Sequence, residues 1–156
     1  NTKISIMPQS LSQVILHVIF STKSRAPFID EQIIKEMHAY LATTSRDQGW
    51  ECYRVGGVED HVHLLVRQPR IAKLSDFIGH IKRNATKWMH TKGDSYKDFA
   101  WQDGYGAFSI GCSQMESVID YIDRQKEHHE KLTFQEEYKL VLQKYNIEYE
   151  EKYVWD

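Results

Sequence analysis

Apolar side chains recur along this chain with two different periods, and the alternation between the periods predicts its secondary structure. Short apolar runs bounded by glycine, proline or polar residues predict four strands, over residues 13–21, 50–56, 61–68 and 105–111. Apolar residues spaced three or four apart predict four helices, over residues 30–48, 71–90, 113–125 and 134–145. We expect Asp30 and Ser113 to cap the first and third helices. Gly56 and Gly57 are expected to form the hairpin between the second and third strands.

The order of these elements predicts the fold. A β-α-β-β-α-β succession followed by helices is typical of the α+β class, in the ferredoxin-like split βαβ topology with one antiparallel sheet. The length of 156 residues fits a single domain, residues 1–156, in which residues 131–156 form a C-terminal extension. A hydrophobic content of 41% is typical of a globular chain and excludes a disordered or collagen-like one.

Cysteine content and hydropathy bear on the compartment. Cys52 and Cys112 lack the paired spacing of a zinc site and cannot form a dense disulfide framework, so both are expected to be reduced thiols. No apolar window is long enough to span a bilayer, and residues 1–10 lack the pattern of a secretory signal. We therefore expect a cytoplasmic protein with no membrane partner.

His61 and His63 form the first candidate site, on the third predicted strand. Residues two apart in a strand project from the same face, so both imidazoles point together. Two such imidazoles can hold one divalent ion. Glu59 or Asp60 could supply a third ligand, orient a histidine, or simply carry charge at the hairpin. The alternative is a pair of half-buried surface histidines.

Tyr121 and Gln125 form a second candidate group, on the third predicted helix. A spacing of four residues places both on one helical face. The amide oxygen of Gln125 suits a hard cation, whereas a phenol is a weak nucleophile at neutral pH unless a neighbour takes its proton. The alternative is that Tyr121 packs in the core with Gln125 against its edge. His128 and His129 follow, where we expect a solvated helix end; the alternative is that they assist proton transfer or contact DNA.

The charge of the chain is distributed unevenly. The net charge of −2 taken alone argues against a nucleic-acid partner. However, residues 61–100 carry eight Lys and Arg against three Asp, whereas residues 116–156 carry six Lys and Arg against eleven Asp and Glu. Basic candidates for binding a DNA backbone lie on the second predicted helix and after the first strand: Lys73, Lys82, Arg83, Lys87 and Arg25. The alternative is an amphipathic helix whose lysines extend into solvent.

The two candidate sites occur in an order found in a known family. HVH at residues 61–63 and YIDRQ at residues 121–125 resemble the single-tyrosine HUH-class transposases of minimal bacterial insertion sequences, including relatives associated with repetitive extragenic palindromes. Further stretches are similar to the same family: HVIFSTKSRAPF, GVEDHVHLLV, FAWQDGYGAFSIG, YIDRQKEHH and, in members with a C-terminal extension, FQEEYKLVLQKYNIEYEEKYVW. The resemblance extends over about residues 10–155.

The resemblance implies a chemistry and the residues that perform it. His61, His63 and Gln125 would bind one divalent metal ion, Mg or Mn. Tyr121 would attack a phosphate of single-stranded DNA that carries a hairpin, so the resemblance implies a metal-dependent endonuclease and strand transferase. The intermediate would be a 5′-phosphotyrosine. The family also implies a homodimer, in which the tyrosine helix of one subunit can complete the histidine site of the other.

Two other classes of function are compatible with the residues alone. A non-catalytic nucleic-acid-binding module could use a ferredoxin-like sheet as its platform, but no RNP-type aromatic motif is evident on a predicted strand. A metal-dependent phosphodiester hydrolase could use His61 and His63 to activate water. The hydrolase predicts no covalent adduct and no role for Tyr121.

Overall fold

The structure, a computed structural model, describes residues 8–156 and contains the four predicted strands. The strands are β1 (Val14–Ser21), β2 (Glu51–Val58), β3 (His61–Gln68) and β4 (Gly106–Ile110). They form one antiparallel sheet in the order β2-β3-β1-β4. The helices are α1 (Ile34–Asp47), α2 (Leu74–His90), α3 (Met115–Asp123), α4 (Gln125–His128) and α5 (Phe134–Lys144). The predicted α+β class and ferredoxin-like topology are confirmed.

One face of the sheet packs against the two crossover helices. On β1, alternate residues Leu16, Val18 and Phe20 point to this face, and all three are buried with residues of α1 and α2 such as Met37 and Ile81. The apolar sides of α1 and α2 therefore pack against this side of the sheet. We call it the first face.

The opposite face, the second face, is covered by the C-terminal helices. Ile15 and Leu65 pack under α3, where Ile122 is buried. Ile19 packs with Phe134 and other residues of α5. Because both faces are covered, the central strands β1 and β3 are buried along nearly their whole length. In the part of the chain that the structure describes, no helix combines the length and hydropathy needed to cross a membrane.

The hairpin between β2 and β3 differs from the prediction. Its turn is at Glu59 and Asp60, and both Gly56 and Gly57 lie within β2. Gly56 is required by packing, because a Cβ there would lie 2.6 Å from Ile122 Cγ2 and 2.8 Å from the Ile122 carbonyl oxygen. The glycine therefore lets α3 approach the sheet rather than turning the chain.

The third predicted helix is interrupted. A 3₁₀ turn at Cys112–Gln114 precedes α3, and Arg124, at φ −101° and ψ 21°, separates α3 from the single turn of α4. The backbone N–H of Gly111 donates to Gln114 Oε1 at 3.1 Å, so the side chain that caps this start is Gln114 and not Ser113.

The other helix starts are closer to expectation. Asp30 Oδ1 accepts from the backbone N–H groups of Gln32 and Ile33, as a cap does, in the turn that leads into α1. α2 begins at Leu74, three residues later than predicted. α5 begins with a capping box, in which Thr133 and Glu136 satisfy each other's backbone N–H groups.

Replacing Gly56 by Ala is expected to destabilise the protein by about 1–3 kcal/mol, because the added Cβ overlaps α3 at Ile122. Gly111→Ala is the matched control, since its Cβ would meet nothing closer than 3.6 Å. Both changes stiffen the unfolded chain alike. Urea unfolding measures the difference. Equal free energies of unfolding for the two variants would show that the close contact between α3 and Gly56 is not required for stability.

Candidate active site

Five polar side chains meet on the second face of the sheet. β3 supplies His61 and His63, whose side chains share a face because they are two residues apart in the strand. Gln125 of α4, His129 just after α4 and Glu137 of α5 complete the group. His61 and His63 are fully buried, and Gln125 and Glu137 retain at most 3% exposure. Polar groups buried this deeply must find their hydrogen-bond partners within the protein.

His61 is oriented by the hairpin that precedes it. Its Nδ1 lies 2.7 Å from Asp60 Oδ1, and its Nε2 lies 3.1 Å from Gln125 Oε1 and 3.4 Å from Glu137 Oε1. Burial alone would lower the pKa of His61, but hydrogen bonds to Asp60 and Glu137 outweigh it and raise the pKa to about 9. Of the roles open to Asp60, the geometry supports orienting the imidazole.

His63 is oriented by a third histidine. Its Nδ1 lies 2.8 Å from His17 Nε2 on β1, and its Nε2 lies 3.2 Å from Glu137 Oε1. Burial lowers the pKa of His63 to about 4 and, together with the charge of His63, lowers that of His17 to about 3. These two imidazoles are therefore neutral at pH 7, which is the form that ligates metals.

Tyr121 lies against this cluster in the same chain. Its hydroxyl donates to Glu137 Oε2 at 2.5 Å. Its ring packs near the rings of His63 and His128, with centroids 5.8 and 4.7 Å away. Burial, followed by the charge and hydrogen bond of Glu137, raises the pKa of the phenol well above its ordinary value. The hydroxyl is thus held as a neutral donor with a carboxylate acceptor beside it.

Glu137 is the residue that all the others share. Its Oε2 accepts from Tyr121 and, at 3.1 Å, from Gln125 Nε2, while its Oε1 faces the three imidazoles of His61, His63 and His129. Burial by itself would raise the pKa of Glu137, but the hydrogen bonds from the three histidines hold it far below its usual range. Glu137 is therefore an anion at the centre of the cluster.

Sequence reasoning missed Glu137, although α5 carries a signal for it. Glu137 lies beside Tyr138 and three residues after Phe134, on the buried stripe of the helix, where a carboxylate needs a partner. The expectation of a solvated helix end at His129 is wrong, because its Nε2 lies 3.1 Å from Gln125 Oε1 and 3.2 Å from Glu137 Oε1. The predicted convergence of Tyr121 and Gln125 occurs despite the break between α3 and α4.

These donor groups fit a divalent metal ion. The candidate ligand atoms of His61, His129 and Glu137 lie within 4.8 Å of one another. The Gln125 oxygen lies 3.1 Å from two of the imidazoles, and Asp60 fixes His61 as second-sphere carboxylates commonly do. Imidazole nitrogens combined with carboxylate and amide oxygens are common ligands of divalent metal ions.

The predicted DNA-binding residues lie away from this cluster. Lys73, Arg83 and Lys87 are exposed residues at the start or on the surface of α2, which covers the first face of the sheet. Arg25 is half-buried, with its guanidinium 6.0 Å from the ring of Trp155. The sheet separates α2 from the histidines, so the structure does not bring the basic residues of this helix beside Tyr121.

Lys82 is engaged within the protein. Its Nζ donates to the backbone carbonyl oxygens of Gln102, Asp103 and Gly104 at 2.9, 3.4 and 2.7 Å. Burial lowers the pKa of this ammonium to about 8. These three contacts use the three N–H donors of the side chain, and a DNA contact by Lys82 stays a prediction.

The fold and the site define an α+β protein that directs a tyrosine, three histidines, a glutamine and a glutamate at one buried point. The family model described as "Transposase IS200 like" matches residues 10–125. The chain belongs to this family of transposases. The match ends at Gln125, so α5 and Glu137 lie beyond it. A comparison with curated proteins gives no significant match.

Two solved structures are similar in fold. A candidate transposase from Deinococcus radiodurans R1 is 18% identical with a TM-score of 0.61, and the match covers 78% of this chain and 98% of that one. The REP-associated tyrosine transposase, solved bound to a REP hairpin, is 16% identical with a TM-score of 0.58. That match covers 81% of this chain and 74% of the other. At these identities the likeness concerns the fold alone.

Lys82 and Lys87 are expected to respond differently to replacement by Met. Lys82→Met should lower the free energy of unfolding by about 1–3 kcal/mol, because it leaves carbonyl groups without their donor. Lys87→Met should change stability by less than about 0.5 kcal/mol. If α2 contacts DNA, Lys87→Met should also weaken binding of single-stranded DNA and flatten its salt dependence by about 0.7 in slope. Unchanged binding and salt slope would remove Lys87 from the DNA interface.

Proposed function

We propose that this chain cleaves and rejoins single-stranded DNA by transesterification, with Tyr121 as the nucleophile and a 5′-phosphotyrosine as the intermediate. The observation that carries the proposal is the placement of the Tyr121 hydroxyl against the histidine cluster within one chain. Membership of the IS200-like transposase family supports it. The hairpin bound by the REP-associated relative supports a hairpin-bearing substrate for this chain as well.

The residues of the cluster divide the chemistry among them. His61, His63 and Gln125 would hold a divalent ion, Mg or Mn, which would supply Lewis-acid polarisation of the scissile phosphate. Tyr121 forms the new bond from its oxygen to phosphorus, and the bond from phosphorus to the 3′ oxygen of the upstream nucleotide breaks. The phenol proton has an acceptor in Glu137 Oε2, and the departing 3′ oxygen takes up a proton to become a hydroxyl.

Rejoining uses the same groups in reverse. A 3′ hydroxyl attacks the phosphotyrosine, and the Tyr121 oxygen leaves and takes back a proton. One phosphodiester is exchanged for another, so the cycle needs no nucleoside triphosphate. This chemistry acts on DNA, and we place it in the cytoplasm on that ground.

The contacts of Tyr121 support a site assembled in cis. The hydroxyl of Tyr121 and the imidazoles of His61 and His63 meet the same carboxylate, that of Glu137, in one chain. A homodimer, as the family resemblance implies, is compatible with this arrangement. In such a dimer each subunit carries its own tyrosine and its own histidines at one site.

Tyr121→Phe is expected to abolish covalent attachment to DNA and to lower cleavage by at least about 10³-fold, because it removes the nucleophile. The protein is incubated with Mg or Mn and hairpin oligonucleotides with randomised flanks, then denatured. A 3′-end label should remain on the wild-type protein, and a 5′-end label should be released as a fragment with a free 3′ hydroxyl. Cys112→Ala, at an exposed thiol, is the control with an unaffected adduct.

The same labelled reactions, resolved on a denaturing gel, distinguish the alternative functions. Cleavage with both labels released and no dependence on Tyr121 indicates a metal-dependent hydrolase. Binding without cleavage in either metal indicates a non-catalytic module. Each of these results contradicts the proposed transesterification.

A mixture of Tyr121→Phe and His61→Ala chains is expected to remain inactive, because a site in cis lacks one essential group in either chain. The chains are mixed under denaturing conditions and refolded together, so that mixed dimers can form. A parallel mixture of wild-type and His61→Ala chains controls for recovery of activity. Adduct formation by the mixture of Tyr121→Phe and His61→Ala chains would demonstrate that one active site takes its tyrosine and its histidines from different subunits.

A further inference from the structure

Glu137 occupies the centre of the cluster, yet it lies outside both the predicted ligand set and the residues that match the family. The match ends at Gln125, twelve residues before Glu137. The two are joined by a hydrogen bond from Gln125 Nε2 to Glu137 Oε2 at 3.1 Å. The C-terminal extension therefore places a carboxylate directly among the histidines of the family motif.

The contacts around Glu137 Oε1 bring together atoms that a metal ion can bind. Asp60 accepts a hydrogen bond from Nδ1 of His61, so Nε2 is the nitrogen that faces the cluster and can bind a metal ion. His61 Nε2 lies 3.1 Å from Gln125 Oε1 and 3.4 Å from Glu137 Oε1. The amide of Gln125 is oriented by its own Nε2, which donates to the other carboxylate oxygen. Imidazole protons can occupy these contacts in the metal-free protein, and a divalent ion can replace them because it binds the deprotonated ring.

The spacing of these atoms agrees with shared coordination. His129 Nε2 lies 3.2 Å from Glu137 Oε1 and 3.1 Å from Gln125 Oε1. Nitrogen and oxygen ligands bound at about 2.0–2.2 Å to one ion lie roughly 3 Å apart when they are neighbours. The observed separations of 3.1–3.4 Å are close to that value.

We propose that Glu137 is itself a metal ligand, through Oε1, together with His61 and His129, so that α5 completes the metal site of this transposase. The inference deepens the proposed function and rests on it for the identity of the reaction. The carboxylate reduces the net charge of a divalent centre built from neutral imidazoles, and its oxygen suits Mn²⁺. Its second oxygen, Oε2, holds the Tyr121 hydroxyl, so one side chain sets the distance between the nucleophile and the ion.

Binding of Mn²⁺ in the absence of DNA tests the assignment. Isothermal titration of the full chain with Mn²⁺ is expected to show at least a tenfold loss of affinity in Glu137→Gln, which keeps the size of the side chain. Glu148→Gln, at an exposed carboxylate on the tail, is the matched control and should bind as the wild type does. Tyr121→Phe should also keep its Mn²⁺ affinity, because the phenol contacts Oε2 and not the proposed ligand atom.

Thermal unfolding keeps the test decisive if Glu137→Gln is unstable. The wild-type midpoint should rise with Mn²⁺ because the ion binds only the folded chain. His129→Asn removes a second proposed ligand from a less central position. The Mn²⁺ concentration that gives half of the rise in its unfolding temperature should be at least tenfold higher than for the wild type. A folded Glu137→Gln or His129→Asn chain with wild-type Mn²⁺ affinity overturns the proposal.

The metal and DNA experiments fail independently. Wild-type Mn²⁺ binding that depends on Glu137, without any DNA adduct, leaves the ligand assignment standing and removes the proposed function. A Tyr121-dependent adduct with unchanged Mn²⁺ affinity in Glu137→Gln does the reverse. If adduct yield rises in Glu137→Gln while affinity is unchanged, Glu137 blocks the tyrosine and is not a ligand.

Discussion

The buried carboxylate of Glu137, at the centre of the second face, requires hydrogen-bond partners, and the surrounding residues supply them. Glu137 is 3% exposed, and a charge removed from water to this extent is strongly unfavourable unless it is paired and hydrogen-bonded. Its partners come from two parts of the chain other than its own helix α5: β3 and the segment from α3 through His129. Docking of the C-terminal helices therefore also assembles the cluster, because α5 carries Glu137 and the segment from α3 through His129 carries three of its partners.

The sheet is built to receive these helices. A ferredoxin-like sheet packs two helices on one face, and here the other face is also covered, which explains why β1 and β3 are buried on both sides. Gly56 on β2 lies opposite His63 and leaves the space into which Ile122 of α3 fits. The absence of a side chain at Gly56 thus sets how closely the helix that carries Tyr121 approaches the strand that carries the histidines.

The positions of the charged residues, rather than the net charge of the chain, determine what they contact in this protein. The acidic C-terminal region supplies Glu137, the anion around which the histidines are arranged. The basic α2 lies across the sheet from the cluster, and one of its lysines, Lys82, holds the loop at Gln102–Gly104 through carbonyl contacts. Neither arrangement follows from the net charge of −2, because a sum over the chain contains no information about which face a residue occupies.

The sequence alone determined the four strands, the order of the elements and two local pairings, because these depend on residues close together along the chain. The period of two places His61 and His63 on one face, and the spacing of four brings Tyr121 and Gln125 together even though the helix breaks at Arg124. Tertiary structure decided the rest. Glu137 meets His63 across 74 positions, the role of Gly56 depends on a helix more than sixty residues later, and α2 docks on the face away from the histidines. Local periodicity shows that a helix has a buried side but not which face of the sheet that side contacts. The site forms because the C-terminal helices dock on the face that carries His61 and His63.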